Sequence, residues 1–426
     1  MRLIAAIAIP AIVTNLTVPL LGLCDIAIAG HRGGAAFIAA LAVGTSMFNM
    51  IYWIFGFLRM GSSGLTARAF GARDSRAQSA LLLRALTVAL VMGMAVIALR
   101  RPLCALLLGA MDVDSATASM AREYFAIAVW GAPAVLSTYA LTGWMLGMQN
   151  SKAPMAVSIA ADLANIAASL LFVFGFGMEI KGIAAGTLAA QWIAALLGMR
   201  CAIQIGHTLP RPRLSELTGK GIGEFFKVNS DIFLRTLCMV AVTLWFTRVG
   251  ASQGAVMLAV NALLMQLFTL FSYFMDGFAF SAEALTGRFR GSGNHAALRV
   301  TLRLELIAGA LMALLFTALY FGAGDMILGI LTDDMSVRER AGEFLPWAVT
   351  VPLAGFMAFS CDGIFIGAGM TRRMLGSVAV AMAVFFILCI LLVEPMGNHG
   401  LWSAFLAWLA VRGAMLALWL RHVTAG

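Results

Sequence analysis

Acidic and basic side chains lie inside several long apolar stretches of this 426-residue chain. They are Asp25, Arg59, Asp162, Asp231, Arg235, Asp276, Glu283 and Asp362. A charge held at the centre of a membrane costs about 2.5–3.5 kcal/mol on insertion scales, so proteins keep such residues where ions or substrates bind. A carboxyl group in these surroundings can bind and release a proton or hold a cation, and that is the chemistry this pattern predicts.

Asp25 is the strongest candidate, because no basic residue lies near it in the segment IVTNLTVPLLGLCDIAIAG. Pro10 and Pro19 precede it in the same apolar stretch, and Asn15 adds polarity to the middle of that stretch. A proline in a helix leaves one backbone carbonyl without its usual partner and permits bending, so this helix is a candidate moving part. The alternative interpretation places Asp25 among the outer lipid headgroups, where it needs no special role.

The fifth apolar stretch carries Asp162, Asn165 and Ser169 at i, i+3 and i+7, which is one face of a helix. Such a face turns towards other helices rather than towards lipid. Further polar residues of the N-terminal half that can complete a pocket with it are Asn49, Tyr52, Tyr139 and Thr142. Serine, threonine and asparagine also hold helices together in membranes, and that interpretation stays open for these residues.

In the C-terminal half, Asp231 and Arg235 lie at i and i+4 with the acid first, the favourable order for an ion pair within one helix. The spacing therefore predicts a structural pair. Arg235, Asn261 and Asp276 are also candidates for the wall of a substrate cavity, since all three lie in apolar surroundings.

The stretches that hold these residues are long enough to cross a membrane. Hydrophobic residues make up 62% of the chain, charged residues 12%, and the mean hydropathy is +0.93, which excludes an ordinary soluble protein. Crossing about 30 Å of hydrocarbon takes about 20 residues of α-helix. Suitable stretches lie near 3–28, 36–60, 79–99, 118–146, 154–175, 183–205, 225–249, 254–284, 296–322, 342–368, 374–393 and 399–420. The sequence therefore predicts an all-α integral membrane protein of about twelve helices, because a β-barrel would show alternating rather than continuous apolar runs.

The two halves of the chain repeat one another. Thr66, Arg68 and Gly71 of LTARAFG recur 220 positions later in LTGRFRG, and Gly143 and Gly147 of GWMLGMQNSK recur at the same offset in GIFIGAGMTR. Six spans in each half make the halves parallel repeats. The predicted domains are an N-terminal six-helix lobe at 1–205, a cytoplasmic linker at 206–224 and a C-terminal six-helix lobe at 225–426. Doubled membrane proteins bind at the interface between their halves and move one half against the other, which is typical of a transporter.

Basic residues decide the predicted orientation. With the amino terminus in the cytoplasm, most arginines and lysines of the loops fall on the cytoplasmic face, which predicts a multi-pass membrane protein with both termini cytoplasmic. The net charge of +9 follows from this bias, and no soluble basic surface remains for nucleic acid.

The six cysteines show no CxxC spacing and the five histidines are scattered, so no metal site is predicted. No nucleotide-binding motif is present, so an ion gradient must supply the energy.

Five segments spread over nearly the whole chain are similar to one known family. They are IAIPAIVTNLTVPLLGLCDIAIAGH, FGARDSRAQ, GWMLGMQNSKAPM, SDIFLRTLCMVAVTLWFTRVGASQGAVMLAVNALLMQLF and FMDGFAFSAEALTGRFRG. The chain resembles the multidrug and toxic compound extrusion (MATE) transporters, and within them the DinF clade. The resemblance implies two six-helix lobes around a central cavity, and antiport of a cation against an amphipathic, usually cationic, substrate.

The resemblance also assigns roles by position. Asp25 is similar to the family's first-helix aspartate, and Pro10 to the proline at which that helix bends on protonation. Asn165 and Tyr139 look like the fifth-helix asparagine and the fourth-helix tyrosine of the same pocket.

At two positions the chain departs from the family pattern. Ser169 stands where the family often has a second aspartate, and an acid stands instead one turn before Asn165, at Asp162. Arg235 takes the place of a glutamate that is associated with sodium coupling in the NorM branch, which argues against that cation site.

With this resemblance, the sequence predicts a secondary active exporter of the bacterial cytoplasmic (inner) membrane, not an enzyme, with no cofactor and protons as the coupling ion. The expected coupling residues are Asp25, Asp162, Asn165 and Tyr139. One proton that crosses about 100 mV releases about 2.3 kcal/mol, enough for about a 50-fold gradient of substrate. The expected partners are a small amphipathic substrate and the lipid bilayer, and the expected oligomeric state is a monomer.

Three alternatives stay open. Sodium can replace the proton in the same fold. A lipid-linked oligosaccharide flippase would need a cavity rich in cations to hold a pyrophosphate, and Arg235 and Arg59 are the basic residues expected at that depth. A membrane-embedded aspartyl hydrolase would favour paired aspartates from the two halves, but Thr142, not an acid, stands 220 positions before Asp362.

Overall fold

The fold is built from long α-helices. The computed structural model describes residues 1–111, 113–219 and 221–424, with the side chains at positions 32, 33 and 35 left aside. Within the described residues, 12 helices are long and apolar enough to cross a membrane. This confirms the predicted all-α membrane architecture of about twelve helices.

The membrane-spanning helices are numbered here in chain order. They are α1 (Arg2–His31), α2 (Ala36–Gly71), α3 (Ser75–Ala98), α4 (Ser115–Gly147), α5 (Lys152–Gly175), α6 (Glu179–Ile205), α7 (Ile222–Ser252), α8 (Ala255–Gly291), α9 (His295–Leu331), α10 (Met335–Gly367), α11 (Thr371–Met396) and α12 (Asn398–Thr424). A short helix, Arg100–Met111, lies between α3 and α4.

The two repeats use the same devices to start a helix. The Asp74 side chain accepts a hydrogen bond of 2.9 Å from the backbone N–H of Ala77 and caps α3. At the equivalent position of the second repeat, Asn294 accepts a bond of 3.0 Å from the N–H of Ala297 and caps α9. Each cap satisfies a backbone donor that the first helical turn leaves without a partner.

The duplicated glycines bring helices into backbone contact. A Cβ atom added to Gly143 on α4 would collide with the backbone oxygen of Arg59 on α2. The same substitution at Gly363 on α10 would collide with the backbone oxygen of Ala279 on α8. Glycine is therefore required at both positions, because any side chain would push the paired helices apart.

Irregular backbone occurs at a few places inside the spans. Gly34, with φ of 65°, separates α1 from α2. α4 includes a 3-10 turn at Val129–Gly131, and α5 ends in a π-helical turn at Leu171–Gly175. The backbone remains helical through Pro10 and Pro19 of α1.

The chain divides into two compact units. The N-terminal unit is Val13–Asn229, and the C-terminal unit combines Met1–Ile12 with Ser230–Gly426. The division falls inside α1, so Pro10 belongs to the C-terminal unit and Pro19 to the N-terminal unit. Aromatic residues fill much of the C-terminal core, where Phe246 packs against Trp402 and Phe405 with ring centroids 5.3 and 5.2 Å apart.

The polar segment after α6 is docked on the N-terminal unit. The Ser79 hydroxyl donates a hydrogen bond of 2.8 Å to the backbone oxygen of Pro210. Arg84 Nε donates to the backbone oxygen of Glu216 at 2.8 Å, and Arg76 Nε lies 3.0 Å from the Glu216 carboxylate. Hydrogen bonds and an ion pair to α3 therefore hold the segment 206–219 in place.

One of these contacts makes the docked segment sensitive to acid. The hydrogen bond from Arg76, with a second from the backbone N–H of Arg213, holds the pKa of the Glu216 carboxyl below its ordinary value. A lowered pKa means that the contact stabilises the fold above the ordinary pKa of glutamate, about 4.3, and is lost as the pH falls through the lowered value. We expect Glu216→Gln to lower the melting temperature slightly at pH 7, and we expect this difference to shrink as the pH falls below the ordinary pKa of glutamate.

The measurement is thermal unfolding of wild type and variant across that pH range. Glu339→Gln is the matched control, since Glu339 is exposed and has no ion-pair partner within the described residues. A difference between Glu216→Gln and wild type that persists unchanged at pH 3 would contradict the assignment.

Candidate functional site: a carboxylate pocket in the N-terminal unit

A cavity of about 200 Å³ lies between α1, α4, α5 and α6 of the N-terminal unit. Its polar lining residues are Thr138, Tyr139, Asp162, Asn165, Thr187 and Gln191. The remaining wall is apolar, from Leu21, Val135, Ala161, Ala190 and Ala194. A concave apolar site with a few convergent polar groups is typical of ligand and ion binding.

Asp162 lines this pocket, and a second acid, Asp25, interacts with it from another helix. Asp25 of α1 and Asp162 of α5 are close enough for their carboxyl groups to interact electrostatically. Each has one buried oxygen, Oδ1 of Asp25 and Oδ2 of Asp162, with no hydrogen-bond partner among the described residues. The Thr17 hydroxyl, which donates to the Thr14 carbonyl at 2.9 Å, also lies beside the Asp162 carboxyl. Two neighbouring carboxyl groups do not readily ionise together, so a proton or a cation is favoured between them.

The stripe that the sequence predicts on α5 forms one hydrogen-bonded row. Ser169 Oγ donates to Asn165 Oδ1 at 3.1 Å, and Asn165 Nδ2 donates to the Thr187 hydroxyl of α6 at 3.4 Å. Asn165 and Ser169 are buried and Asp162 is half-buried. The row therefore faces α6 and the pocket rather than lipid, and Asn165 and Ser169 also join α5 to α6.

Three tyrosines lie in the same part of the N-terminal unit, and Tyr124 among them interacts with an acid. Tyr124, which is buried, interacts with Asp25 and hydrogen-bonds to Thr187 and Thr45. Tyr52 interacts electrostatically with Tyr124 and Tyr139, and its buried hydroxyl has no partner among the described residues. The phenol groups place donors and acceptors next to an apolar wall, as amphipathic guests require.

The other predicted residues of this half lie away from the lining. Asn49 is exposed, and Asn15 and Thr142 are half-buried without contributing to the cavity wall. Sequence reasoning missed Tyr124, Thr187 and Gln191. Each lies inside a predicted apolar span, and that intramembrane polarity was the available signal.

A second charged cluster lies in the C-terminal unit, and it corrects the predicted pair. Arg235 of α7 bonds to Asp362 Oδ2 of α10, not to Asp231. Arg412 of α12 donates to the same oxygen at 2.6 Å. The intrahelical pair between Asp231 and Arg235 is therefore wrong, because a carboxylate on another helix offers Arg235 a fully buried partner.

Asp231 has partners of its own on α11. Its Oδ2 accepts a hydrogen bond of 2.9 Å from the Thr371 hydroxyl, and its Oδ1 lies 3.3 Å from Arg372. Asp231 is buried while the Arg372 side chain is 74% exposed, so the contact ties the start of α11 to α7 at a solvated edge.

Arg412 was missed by the sequence analysis, although it lies inside the twelfth apolar stretch. Its guanidinium is buried, lies 5.7 and 5.5 Å from the ring centroids of Phe359 and Trp408, and interacts with Asp276. The expectation that Arg235 and Arg59 are the basic residues at depth is therefore incomplete. Both arginines of this cluster bind Asp362, which leaves less cationic surface for a pyrophosphate than their number suggests.

Two further polar contacts account for buried residues of the C-terminal unit. Asn261 and Asn398 exchange hydrogen bonds of 2.8 and 2.9 Å, and Trp402 Nε1 donates to Asn261 at 2.9 Å. Asn261, a predicted cavity residue, thus has protein partners for its amide. The missed Glu305 of α9 is buried and accepts a hydrogen bond of 2.6 Å from Ser281 of α8.

Comparisons with known proteins identify the family of this chain. The family model MatE matches residues 10–171 and 231–391, one block in each repeat. The DNA damage-inducible protein F of Escherichia coli is 35% identical over 98% of this chain and 91% of its own length. A probable multidrug resistance protein NorM of Acinetobacter baylyi is 21% identical over 96% of this chain and 93% of its own length.

The fold has close structural neighbours. The crystal structure of a MATE protein in the bent conformation superposes with a TM-score of 0.89 at 18% identity, over 100% of this chain and 95% of that one. The twelve apolar helices within the described residues make the chain a multi-pass membrane protein, and its fold is that of the solved MATE structure. The resemblance found in the sequence is confirmed, and the chain belongs to the MatE family of multidrug and toxic compound extrusion transporters, with its DinF-like members among its relatives.

Proposed function

We propose that this chain exports amphipathic cations from the bacterial cytoplasm in exchange for protons, with both termini cytoplasmic. The observation that carries the proposal is the pair of interacting acids Asp25 and Asp162 in the N-terminal unit, of which Asp162 lines a small pocket. No basic side chain is among the described residues that line this pocket. A cation and a proton therefore compete for the same two carboxyl groups.

The exchange follows from that competition. When the pocket faces the cytoplasm, a cationic substrate balances the negative charge of the pair. When the pocket faces outward, a proton binds to the carboxyl pair and removes the attraction that holds the substrate. Tyr139 lines the pocket with Asp162, and Tyr124 interacts with Asp25, so an aromatic ring accompanies each acid. Such rings favour guests with both an apolar body and a positive charge.

Sodium coupling is the main alternative, because carboxyl, amide and hydroxyl oxygens also suit a hard cation. The pocket offers such oxygens from Asp162, Asn165 and Thr187. In the C-terminal unit, Asp362 is not free to bind a sodium ion, since it is already bound by Arg235 and Arg412. We therefore expect the proton to be the coupling ion.

The experiment is transport of a fluorescent amphipathic cation into inside-out proteoliposomes. We expect a pH gradient, acid inside the vesicle, to drive uptake to about 50-fold accumulation for about 100 mV of driving force. A sodium gradient of equal size at symmetric pH should drive none, and vesicles without a gradient should only equilibrate. Uptake that follows sodium alone would establish sodium antiport, and a lipid flipped without any gradient would establish a flippase.

A further inference from the structure

A large groove lies outside the carboxylate pocket, on the surface of the C-terminal unit. It has a volume of about 680 Å³ and is formed by α9, α10 and α12. Its walls are apolar except at one end of the membrane span, where Arg303 and Arg421 line it. No described residue that lines the carboxylate pocket lines this groove, and neither do Arg235, Asp362 and Arg412.

The N-terminal unit contains the corresponding groove, and there it is covered by the chain itself. That groove, of about 410 Å³, is lined by Leu82, Leu83 and Leu86 on α3 and by Ala202 and Ile203 on α6. The segment after α6 closes over it, with Leu209 packed against the apolar cluster that includes Trp144. The Ser79 hydroxyl fixes this segment through its bond of 2.8 Å to Pro210.

The repeat places different residues in the C-terminal groove. At an offset of 220, Leu82 and Leu86 correspond to Leu302 and Leu306, but Leu83 corresponds to Arg303. Ser79, which anchors the cover in the first groove, corresponds to the exposed Arg299. The second repeat thus retains the apolar residues at the base of the groove, but it has Arg303 and Arg299 in place of a leucine and a serine.

The end of α12 contributes the second cation of the groove. Leu420, Arg421 and Thr424 line the groove of the C-terminal unit. At the offset of 220, Arg421 corresponds to Cys201 of α6, which is half-buried and does not line the first groove. Two helices, α9 and α12, therefore each place a cation in the C-terminal groove at a position where the first repeat has an uncharged residue.

Among the residues that the structure describes, these cations have no acidic partner. Arg303 and Arg421 are exposed, and within the described residues neither is in an ion pair. Beyond the groove, α9 continues with the exposed residues Ile307, Leu311 and Leu314, at 42%, 58% and 56% exposure. The occupant therefore needs a negative group at one end and an apolar body that extends along the membrane.

We propose that this groove binds an anionic phospholipid, with its phosphate between Arg303 and Arg421 and an acyl chain over Leu302, Leu306 and Ile307. Charge complementarity and the continuous apolar surface select this occupant, because basic pockets between transmembrane helices recognise anionic headgroups. The bound lipid would cover in the C-terminal unit the surface that residues 209–212 cover in the N-terminal unit. The orientation proposed above places the site in the cytoplasmic leaflet, but the binding itself does not depend on that orientation or on the transported substrate.

The test is native mass spectrometry of the purified full chain in detergent with added phosphatidylglycerol or phosphatidylethanolamine. We expect phosphatidylglycerol to bind more tightly, and Arg303→Gln/Arg421→Gln to weaken it about 30-fold, at about 1 kcal/mol for each arginine. The matched control is Arg73→Gln/Arg200→Gln, which removes two exposed arginines of the N-terminal unit at the same predicted membrane face that line neither groove, and it should leave binding unchanged.

A second variant tests the apolar part of the site. Leu306→Trp should fill the groove without a change of charge and weaken phosphatidylglycerol binding about tenfold, as expected for about two methylene groups that lose their contact. Glycerol phosphate, which carries the anion without the acyl chain, should not compete.

Four outcomes would overturn the proposal. They are equal binding of the two lipids, equal loss in the control variant, full competition by glycerol phosphate, and a shift from dimer to monomer as the sole effect of Arg303→Gln/Arg421→Gln. The last of these would make the groove an interface between two copies of the chain.

Discussion

Asp25→Asn should abolish pH-driven export, with a loss of at least about tenfold that brings the rate to that of protein-free vesicles. The amide keeps the shape of the side chain but cannot bind and release a proton, and it removes one of the two negative charges that attract a cationic guest. The measurement is uptake of the fluorescent cation into proteoliposomes under an imposed pH gradient, together with the melting temperature of the purified variant.

Asp162→Asn provides the comparison within the same pocket. Because Asp25 and Asp162 interact electrostatically, removal of one carboxyl changes the proton affinity of the other. We therefore expect Asp162→Asn to retain some transport, with a changed pH dependence and weaker substrate binding. A variant that alters only the melting temperature would assign Asp162 a structural role.

The matched control is Asp333→Asn, which removes an exposed carboxyl from the loop between α9 and α10 and should transport as wild type does. Wild-type uptake by Asp25→Asn under the same gradient would exclude Asp25 as the proton carrier. The next candidates would then be the buried acids of the C-terminal unit, of which Glu305 is in contact with Ser281.

Asp362→Asn should destabilise the protein by about 3–5 kcal/mol, the cost of leaving a buried charge without its partner. Two guanidiniums depend on this one carboxylate, and Arg235 and Arg412 are both at least 94% buried in their side chains. Unfolding by titration with sodium dodecyl sulfate, followed through tryptophan fluorescence, measures the change in the free energy of unfolding.

A double-mutant cycle distinguishes the ion pair from a general packing defect. Arg412→Gln should cost much less in the Asp362→Asn background than in wild type, because the partner has already been removed. Glu343→Gln is the control for an exposed pair, since Glu343 and Arg340 are 53% and 54% exposed, and it should cost no more than about 1 kcal/mol. Additive losses for Asp362 and Arg412 would mean that the two residues stabilise the fold independently.

The membrane spans were predictable from the sequence because hydrocarbon imposes a strict length and leaves no alternative to internal backbone hydrogen bonding. The stretch predicted near 183–205 is the helix Glu179–Ile205, and that near 399–420 is Asn398–Thr424. The helices extend a few residues past the apolar stretches, since their polar ends continue the helix into the headgroup region. The repeat was equally visible, because Gly143 and Gly363 must be glycine for the same backbone contact.

Asp25 and Asp162 could each be predicted from the sequence as a functional residue. A carboxyl in an apolar span is costly wherever it points, so Asp25 and Asp162 were candidates before any helix was placed. Their grouping as one set of coupling residues depended on the family resemblance, because Asp25 and Asp162 come from helices that are far apart in sequence. The same limit explains why Tyr124, Thr187 and Gln191 were missed, since each becomes part of the site only through packing between helices.

By itself, then, the sequence determined the class of protein, the number and approximate ends of its helices, the doubling and the chemical type of its intramembrane residues. Only the tertiary structure decided which charged side chains form ion pairs with one another. Arg235 lies one helical turn from Asp231, which satisfies the local rule for a pair, yet it binds Asp362 on another helix together with Arg412. Local spacing sets which side chains share a face of one helix. In a low-dielectric interior, however, a buried guanidinium takes the carboxylate that is buried with it, and that partner is fixed only when the helices pack.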